Sequence, residues 1–288
     1  MARYFWSSSQ SKEWIFDKNN MFMLRAEDMK IYNEEEYNRF NIFWANFITA
    51  VVTEGGLTEA NTGCRVRQRA IATAITFFKR FYLRHSFQDM CPFLVAGTSF
   101  FLACKVEEHT LLSVASFLKN ALNVLPKRWG VTFESATTRT GVIQEAEFII
   151  VEVMDCSLIV FHPTRPLVQL LEDLNKMLQL KDFEAVEAQC HKVVNDSLRC
   201  DVGFVYAPHC IAISSIIVGM ELMGRGEEIE QWLVELDVDF EQIAACTDDL
   251  YKLYATWKAF DEKEEVKNLI CKLPRPNEGP SIQPQRFL

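Results

Sequence analysis

Glycine and proline are scarce in this chain of 288 residues, at 11 and 9, which disfavours the turn-rich β-sandwiches and barrels. Signatures of catalysis are missing in turn: the chain has no GxxxxGKS/T, GxGxxG, GxSxG or HExxH. Phosphate cradles, nucleophile elbows and zinc helices therefore lack their sequence marks. Five histidines are scattered, and Cys190-His191 and His209-Cys210 are adjacent pairs. Neighbours on a helix point to different sides, so neither pair converges on a metal. The composition implies no cofactor. Nine cysteines form no CxxC pair, and Cys104, Cys156 and Cys210 lie in apolar stretches. Such thiols behave as small hydrophobes, and the pattern suits a reducing compartment, cytosol or nucleus. The opening MARYFWSSSQ has no apolar core of a signal peptide. The longest uncharged run, Val202 to Met220, is interrupted by Pro208, His209, Ser214 and Ser215. It reads as a buried central helix and not a membrane span.

What is present is an ordinary globular balance, 49% hydrophobic and 24% charged. The net charge of −9 is unevenly placed: 17 basic and 17 acidic residues run up to Val160, then 13 and 22 from Phe161 onward. An acidic chain is a poor ligand for a phosphate backbone, so no direct nucleic-acid contact is expected. Arg65, Arg67 and Arg69 recur every second residue and do not line one helix face, so they read as a solvated helix start. The sequon Asn195-Asp196-Ser197 falls in an expected helix without a secretory signal, so it is not read as glycosylated.

Helical signals follow in order. Ser7 with Gln10 has the form of a capping box and predicts a short helix running to about Phe16. Asn33 with Glu36 repeats that form, ahead of Tyr37, Phe40, Trp44, Phe47 and Val51 at helical spacing. The glycine-rich stretch Thr53–Gly63 reads as a loop, and Ile71, Ile75, Phe78 and Tyr82 stripe a helix over Arg67–Arg84. From Cys91 to Cys104 there is no charge, with Pro92 at the start, so this helix is apolar all round and needs other helices around it. Pro208 opens a second such stretch, ending at Glu221. The likeness predicts two copies of one helical unit, joined at His162-Pro163-Thr164-Arg165-Pro166, where two prolines interrupt helix. Phe240, Ile243, Leu250, Tyr254 and Trp257 close the second copy. The expected divisions are an N-terminal helix with its connector over residues 1–32, repeats over 33–160 and 161–261, and a tail over 262–288. Its last sixteen residues hold four of the nine prolines and are expected to be disordered.

At Phe101-Leu102-Ala103-Cys104-Lys105-Val106-Glu107-Glu108 the chain closely resembles a cyclin box, as it does at Phe78-Lys79-Arg80-Phe81-Tyr82, Glu147-Phe148 and Met154-Asp155-Cys156. Leu158 to Leu167 is similar to the inter-repeat joint of transcriptional cyclins. Phe5-Trp6-Ser7-Ser8-Ser9 and Trp257-Lys258-Ala259-Phe260-Asp261 point to the branch that serves the Mediator kinase module. The resemblance covers nearly the whole chain. It implies an all-α fold of two tandem five-helix repeats behind a short N-terminal helix. The chain departs from the family in a longer Thr53–Gly63 loop and in the poorly matched segment Leu111–Arg139. It also has Asn41-Ile42-Phe43-Trp44-Ala45 where cell-cycle members carry a substrate-docking motif, so no such patch is expected.

The resemblance further implies a non-enzymatic regulatory subunit in the nucleus. Its partners would be a Mediator-associated cyclin-dependent kinase and other subunits of that kinase module, with no nucleic acid and no membrane among them. Taken alone, Lys105 reads as a cation favoured at a helix C-terminus and Glu147 as a solvated helix residue. The family pattern makes them a charged pair gripping the ends of the kinase helix, with Trp14, Phe16 and Glu108 as further kinase contacts. Trp6 and Glu107 would face other partners. Trp6 lacks an apolar position N4 to complete a local staple, since Ser11 stands there, which favours a contact outside its own helix. The alternatives are the family member of the initiation-factor kinase, a DNA-binding adaptor with cyclin-like repeats, and an unrecognised enzyme.

Overall fold

The computed structural model describes residues 2–55, 65–109, 114–132 and 140–273. Three short helices open the chain: α1 (Ala2–Phe5), α2 (Ser9–Glu13) and α3 (Lys18–Leu24). Five longer ones follow: α4 (Glu34–Thr53), α5 (Gln68–Arg84), α6 (Pro92–Val106), α7 (Val114–Trp129) and α8 (Thr140–Val153). The second set is α9 (Thr164–Leu178), α10 (Phe183–Ser197), the single turn α11 (Val202–Val205), α12 (Pro208–Leu222), α13 (Glu230–Glu235) and α14 (Phe240–Ala259), with α15 (Glu262–Cys271) last. The chain divides into two compact units, residues 19–158 with 260–288, and residues 1–18 with 159–259.

In the unit built from residues 19–158 and 260–288, α6 is the buried centre, covered by α4, α5, α7 and α8. Pro92 sits in its first turn, where the missing N–H would have had no helical partner. The surrounding core is aromatic. Trp44 meets Phe78 at 5.3 Å and Phe93 at 5.0 Å, Phe43 meets Trp129 at 5.2 Å, and Phe100 stacks on Phe117 at 5.0 Å. The Asn33–Glu36 capping box forms as the sequence indicates. Asn33 Oδ1 accepts from Glu36 N–H at 2.8 Å while Glu36 accepts from Asn33 N–H at 3.2 Å. Leading into it, the buried Asp28 accepts from Ser86 Oγ at 2.6 Å and Phe87 N–H at 2.9 Å, tying the connector to the α5–α6 turn. Burial pushes its carboxyl above the usual carboxylate range. In the poorly matched segment the structure places a full helix, α7, and the flanking residues 110–113 and 133–139 lie outside the described set.

One expectation fails at the far end of the sequence. Residues 262–271, assigned to a tail, form α15, capped by Asp261 and packed on α4 and α7. Its anchors are Val266 and Leu269 in the core, Glu262 accepting from Trp129 Nε1 at 2.9 Å and Asn46 Nδ2 at 2.7 Å, and Tyr32 donating to Leu269 O at 3.0 Å. Only two apolar side chains of α15 are buried, too few to register as a periodic stripe beside the prolines that follow. The tail from 274 onward, expected to be disordered, lies outside the described residues.

In the other unit α12 takes the central place, with α9, α10 and α14 around it. Here the core is aliphatic: Leu167, Leu171, Leu174, Val186, Ala212, Ile216 and Met220. Gly219 allows α12 its close approach to α10, because a Cβ there would lie 2.9 Å from Cys190 Sγ. Phe240, expected in the apolar seam of α14, is instead 49% exposed, because it is the first residue of that helix and precedes the part that meets α12. No described helix is long and apolar enough to cross a membrane.

The N-terminal segment differs from its sequence reading. Ser8, not Ser7, caps α2, accepting from Ser11 N–H at 3.3 Å. Gln10 does not reach back to close a capping box. Its buried amide pairs with the backbone of Phe161, accepting from the N–H at 2.6 Å and donating to the carbonyl at 3.4 Å. Trp14 is fully buried, and Phe16 N–H donates to Phe204 O at 2.7 Å. Phe5, Gln10 and Trp14 therefore anchor the N-terminal segment in the core of this unit, and Trp14 has no surface to display to a partner.

Two outcomes follow for urea unfolding. Trp14→Ala should cost about 3–5 kcal/mol, the usual penalty for deleting a buried Trp, and a loss below 1 kcal/mol would mean the segment is not core. Gly219→Val should cost about 1–3 kcal/mol or more through overpacking against Cys190, and an unchanged midpoint would contradict the close approach.

Candidate functional site

The C-terminus of α6 and the outer face of α8 present a cluster of charge beside apolar surface. Helix α6 ends in a Schellman turn: His109 N–H donates to Cys104 O at 2.8 Å and Glu108 N–H to Lys105 O at 3.2 Å. Glu108 itself adopts the left-handed conformation, φ 50°, that glycine usually supplies there. Helix α8 ends in the same way: Cys156 N–H donates to Val151 O at 3.0 Å, Asp155 N–H to Glu152 O at 2.9 Å, and Asp155 has φ 49°. Two arginines of α5 hold this second turn. Arg80 donates to Ser157 O at 2.6 Å, and Arg84 to Val153 O at 2.7 Å and to the Asp155 carboxylate. Two helix ends are thus rigidly finished, and between them α6 packs on α8.

Across that contact Lys105 Nζ lies 2.7 Å from both carboxylate oxygens of Glu147. The Lys105 side chain is 49% exposed and that of Glu147 17%. The structure therefore brings together the two residues singled out in sequence, paired with each other at the surface. Immediately beside them Phe148 is 79% exposed and Ile149 is 39% exposed, while Ile150 is buried. Sequence reasoning named Phe148 only as part of a motif, although a signal was available. Consecutive apolar residues on one helix cannot all face a core on one side, so a run such as Phe148–Val151 must leave some of them to solvent.

The other candidates separate. Glu108 is exposed at the end of α6, next to this face. Glu107 turns inward: its carboxylate meets Arg69 Nε at 2.6 Å and accepts from the fully buried Thr73 hydroxyl at 2.7 Å. With its side chain only 9% exposed, Glu107 ties α6 to the first turn of α5 and offers no free carboxylate to a partner. Trp14 is buried, and Phe16 is half-buried with its backbone committed to Phe204. Trp6 is 57% exposed in the unit that holds α9–α14, with its ring edge-on to Phe5 at 5.1 Å and to His209 at 6.2 Å. Burial of His209 lowers its pKa and favours the neutral ring in this contact. Among the described residues no group of histidines, cysteines and carboxylates is arranged to hold a metal.

Comparison with known proteins bears on the family and the fold. The family described as "Cyclin, N-terminal domain" matches residues 56–159, and "Cyclin C-terminal domain" matches residues 162–259. A protein named Cyclin-C from Caenorhabditis elegans is 64% identical, over 97% of this chain and 95% of its own length. Its namesake from Drosophila melanogaster is 35% identical, over 97% of this chain and 99% of its own. Among solved structures, a chain of the CAK complex of Chaetomium thermophilum superposes with a TM-score of 0.69 at 22% identity, covering 96% of this chain and 89% of that one. A chain of the yeast TFIIK complex, Kin28/Ccl1/Tfb3, gives 0.63 at 24% identity, covering 84% and 98%.

Glu108→Gly should raise the free energy of unfolding by about 1 kcal/mol, since a left-handed conformation costs an ordinary L-residue roughly 1–2 kcal/mol. A lowered urea midpoint would show that the Glu108 side chain contributes more than its backbone strain removes.

Proposed function

The chain belongs to the cyclin family, with both of its domain types and near-full-length likeness to proteins named Cyclin-C, and from that premise we propose that it is the regulatory subunit of the nuclear cyclin-dependent kinase of the Mediator complex. In this reading it has no catalysis of its own and acts on RNA polymerase II transcription through its kinase. The 64% identity to a Cyclin-C favours this assignment over the cyclin of the initiation-factor kinase.

The single observation that carries the reading is the ion pair of Lys105 and Glu147 beside the exposed Phe148. A cyclin activates a kinase by packing on the helix that carries the kinase's Glu and holding that Glu on the ATP-positioning Lys. Such a helix offers donors at one end and acceptors at the other. Glu147 suits the first and Lys105 the second, while Phe148 supplies apolar contact between them. An exposed ion pair contributes only about 0–1 kcal/mol to folding, so its members can exchange each other for a partner's groups at little cost. Glu108 extends the same face. Trp14 has no place in this interface, because it is buried. Trp6, exposed on the other unit, is left to further subunits of the Mediator kinase module.

Lys105→Ala and Glu147→Ala should each leave thermal unfolding within about 1 kcal/mol of wild type. Each should weaken the kinase complex by about 2–5 kcal/mol, expressed mainly in the dissociation rate. Surface plasmon resonance against the kinase reads this directly, and wild-type dissociation by both variants would rule the interface out.

A further inference from the structure

A polar cleft of about 210 Å³ opens between the end of α3 with its connector and the turn that joins α5 to α6. Leu24, Glu27 and Asp28 line it from the first of these, and Arg84, His85 and Asp89 from the second. Its volume is several times the ~30 Å³ share of one water in the liquid, enough to admit a side chain of another molecule.

Most of the charge around the cleft is already engaged. Glu27 accepts from Lys30 Nζ at 2.6 and 2.7 Å, and Arg84 donates to Val153 O and Asp155 at the end of α8. Two carboxylates are drawn together by one residue: Ser86 donates from Oγ to Asp28 at 2.6 Å and from its N–H to Asp89 at 2.8 Å. His85 Nδ1 lies 3.3 Å from the same oxygen of Asp89. Asp28 is the group left short. It is 1% exposed, and both of its hydrogen bonds, from Ser86 and from Phe87 N–H, fall on Oδ1. Oδ2 has no hydrogen-bond or ion-pair partner among the described residues. It is not sealed inside the protein either, so it opens to the cleft that Asp28 lines. Arg25 attracts this carboxylate, but its guanidinium lies over the Tyr37 ring, 4.7 Å from the centroid. A buried carboxylate held only by neutral donors is incompletely compensated.

We propose that this cleft is a binding site for the guanidinium of an arginine side chain from a partner protein. A guanidinium carries five donors in a planar fork, enough to reach Asp28 Oδ2 and the Asp89 carboxylate together, and it is more weakly hydrated than an ammonium. An anion would meet three carboxylates, and the histidine and carboxylates here are not arranged to hold a metal ion. Leu24, 45% exposed, gives the cleft an apolar side that a residue next to the arginine can cover. Arg84 belongs both to the cleft and to the end of α8, so the site borders the helix that carries Glu147 and Phe148. The choice of a protein as the source of the cation rests on that proposed partner face, whereas the cation site itself does not.

The test is a nuclear magnetic resonance titration of the full-length protein with the peptide acetyl-Ala-Leu-Arg-Ala-amide, following the Ser86 and Phe87 amides. It is run at about 0.15 M salt, where diffuse attraction to an acidic chain is largely screened. The same peptide with citrulline for arginine removes the charge and keeps the shape, and arginine amide alone removes the apolar neighbour. Asp28→Asn keeps the oxygen that Ser86 and Phe87 use, and Asp89→Asn, at a more exposed side chain, carries the test if the first variant does not fold. The expected result is saturable movement of both amides by the arginine peptide. Binding should weaken about tenfold, or 1.4 kcal/mol, with citrulline and in each variant, and Leu24→Ser should weaken the peptide but not arginine amide. Unmoved amides, equal binding of the citrulline peptide, or indifference to the folded Asn variants would overturn the site. Arginine amide binding as tightly as the peptide would overturn its assignment to a protein segment. No kinase is present, so the outcome is independent of the Lys105 and Glu147 measurement.

Discussion

A helix that is apolar on every side is stable in water only when other helices cover it, and α6 and α12 impose that requirement on each unit in turn. Everything else in the fold is arranged to meet it. Around α6 the cover is aromatic, supplied by Trp44, Phe78 and Phe117 against Phe93 and Phe100 of α6 itself, whose large rings fill the space between helices with few side chains. Around α12 it is mainly aliphatic, and a glycine is needed where α12 passes Cys190. One architecture is thus reached with two different packings, because what is selected is the removal of the central helix from water and not a particular set of contacts.

Burying α6 also decides where function can sit. A helix with no polar face has room for charge only at its ends, and the C-terminal end of α6 is where Lys105, Glu107 and Glu108 emerge. Of these, Glu107 is drawn back to Arg69 and Thr73 and holds the end in place. Lys105 reaches α8 instead. The Schellman turns of α6 and α8, and the grip of Arg80 and Arg84 on the second of them, keep that pair and Phe148 on a rigid surface. A weak ion pair on a rigid base is suited to partner exchange: the side chains are positioned in advance, and little stability is lost when they let go of each other.

Periodicity alone made the central helices, their amphipathic neighbours and the joint near Pro163 legible, because apolar spacing and proline act locally. Lys105 and Glu147 were named through family resemblance, and no local rule would have paired residues 42 positions apart in sequence. Where sequence reasoning failed, a long-range contact had overridden a local signal. Ser7 and Gln10 have the spacing of a capping box, yet Gln10 is taken by the backbone of Phe161, 151 residues away, and Ser8 caps in its place. Trp14, followed by Ile15 and Phe16, could be core or displayed on its local sequence, and family likeness favours display, although it is core. Helix α15 buries two apolar residues and relies on Glu262, Tyr32 and a capping Asp261, none of which a hydrophobic pattern registers.

The central claim is that Lys105 and Glu147 act on a kinase helix and do not serve merely to join α6 to α8. Exchanging them, in the double variant Lys105→Glu with Glu147→Lys, separates the two roles, because it preserves an ion pair between the helices while reversing the order of charge presented outward. The decisive measurement is kinase activation by this variant alongside its thermal unfolding. The account predicts wild-type unfolding with activation lost. Wild-type activation by the exchanged pair would contradict it.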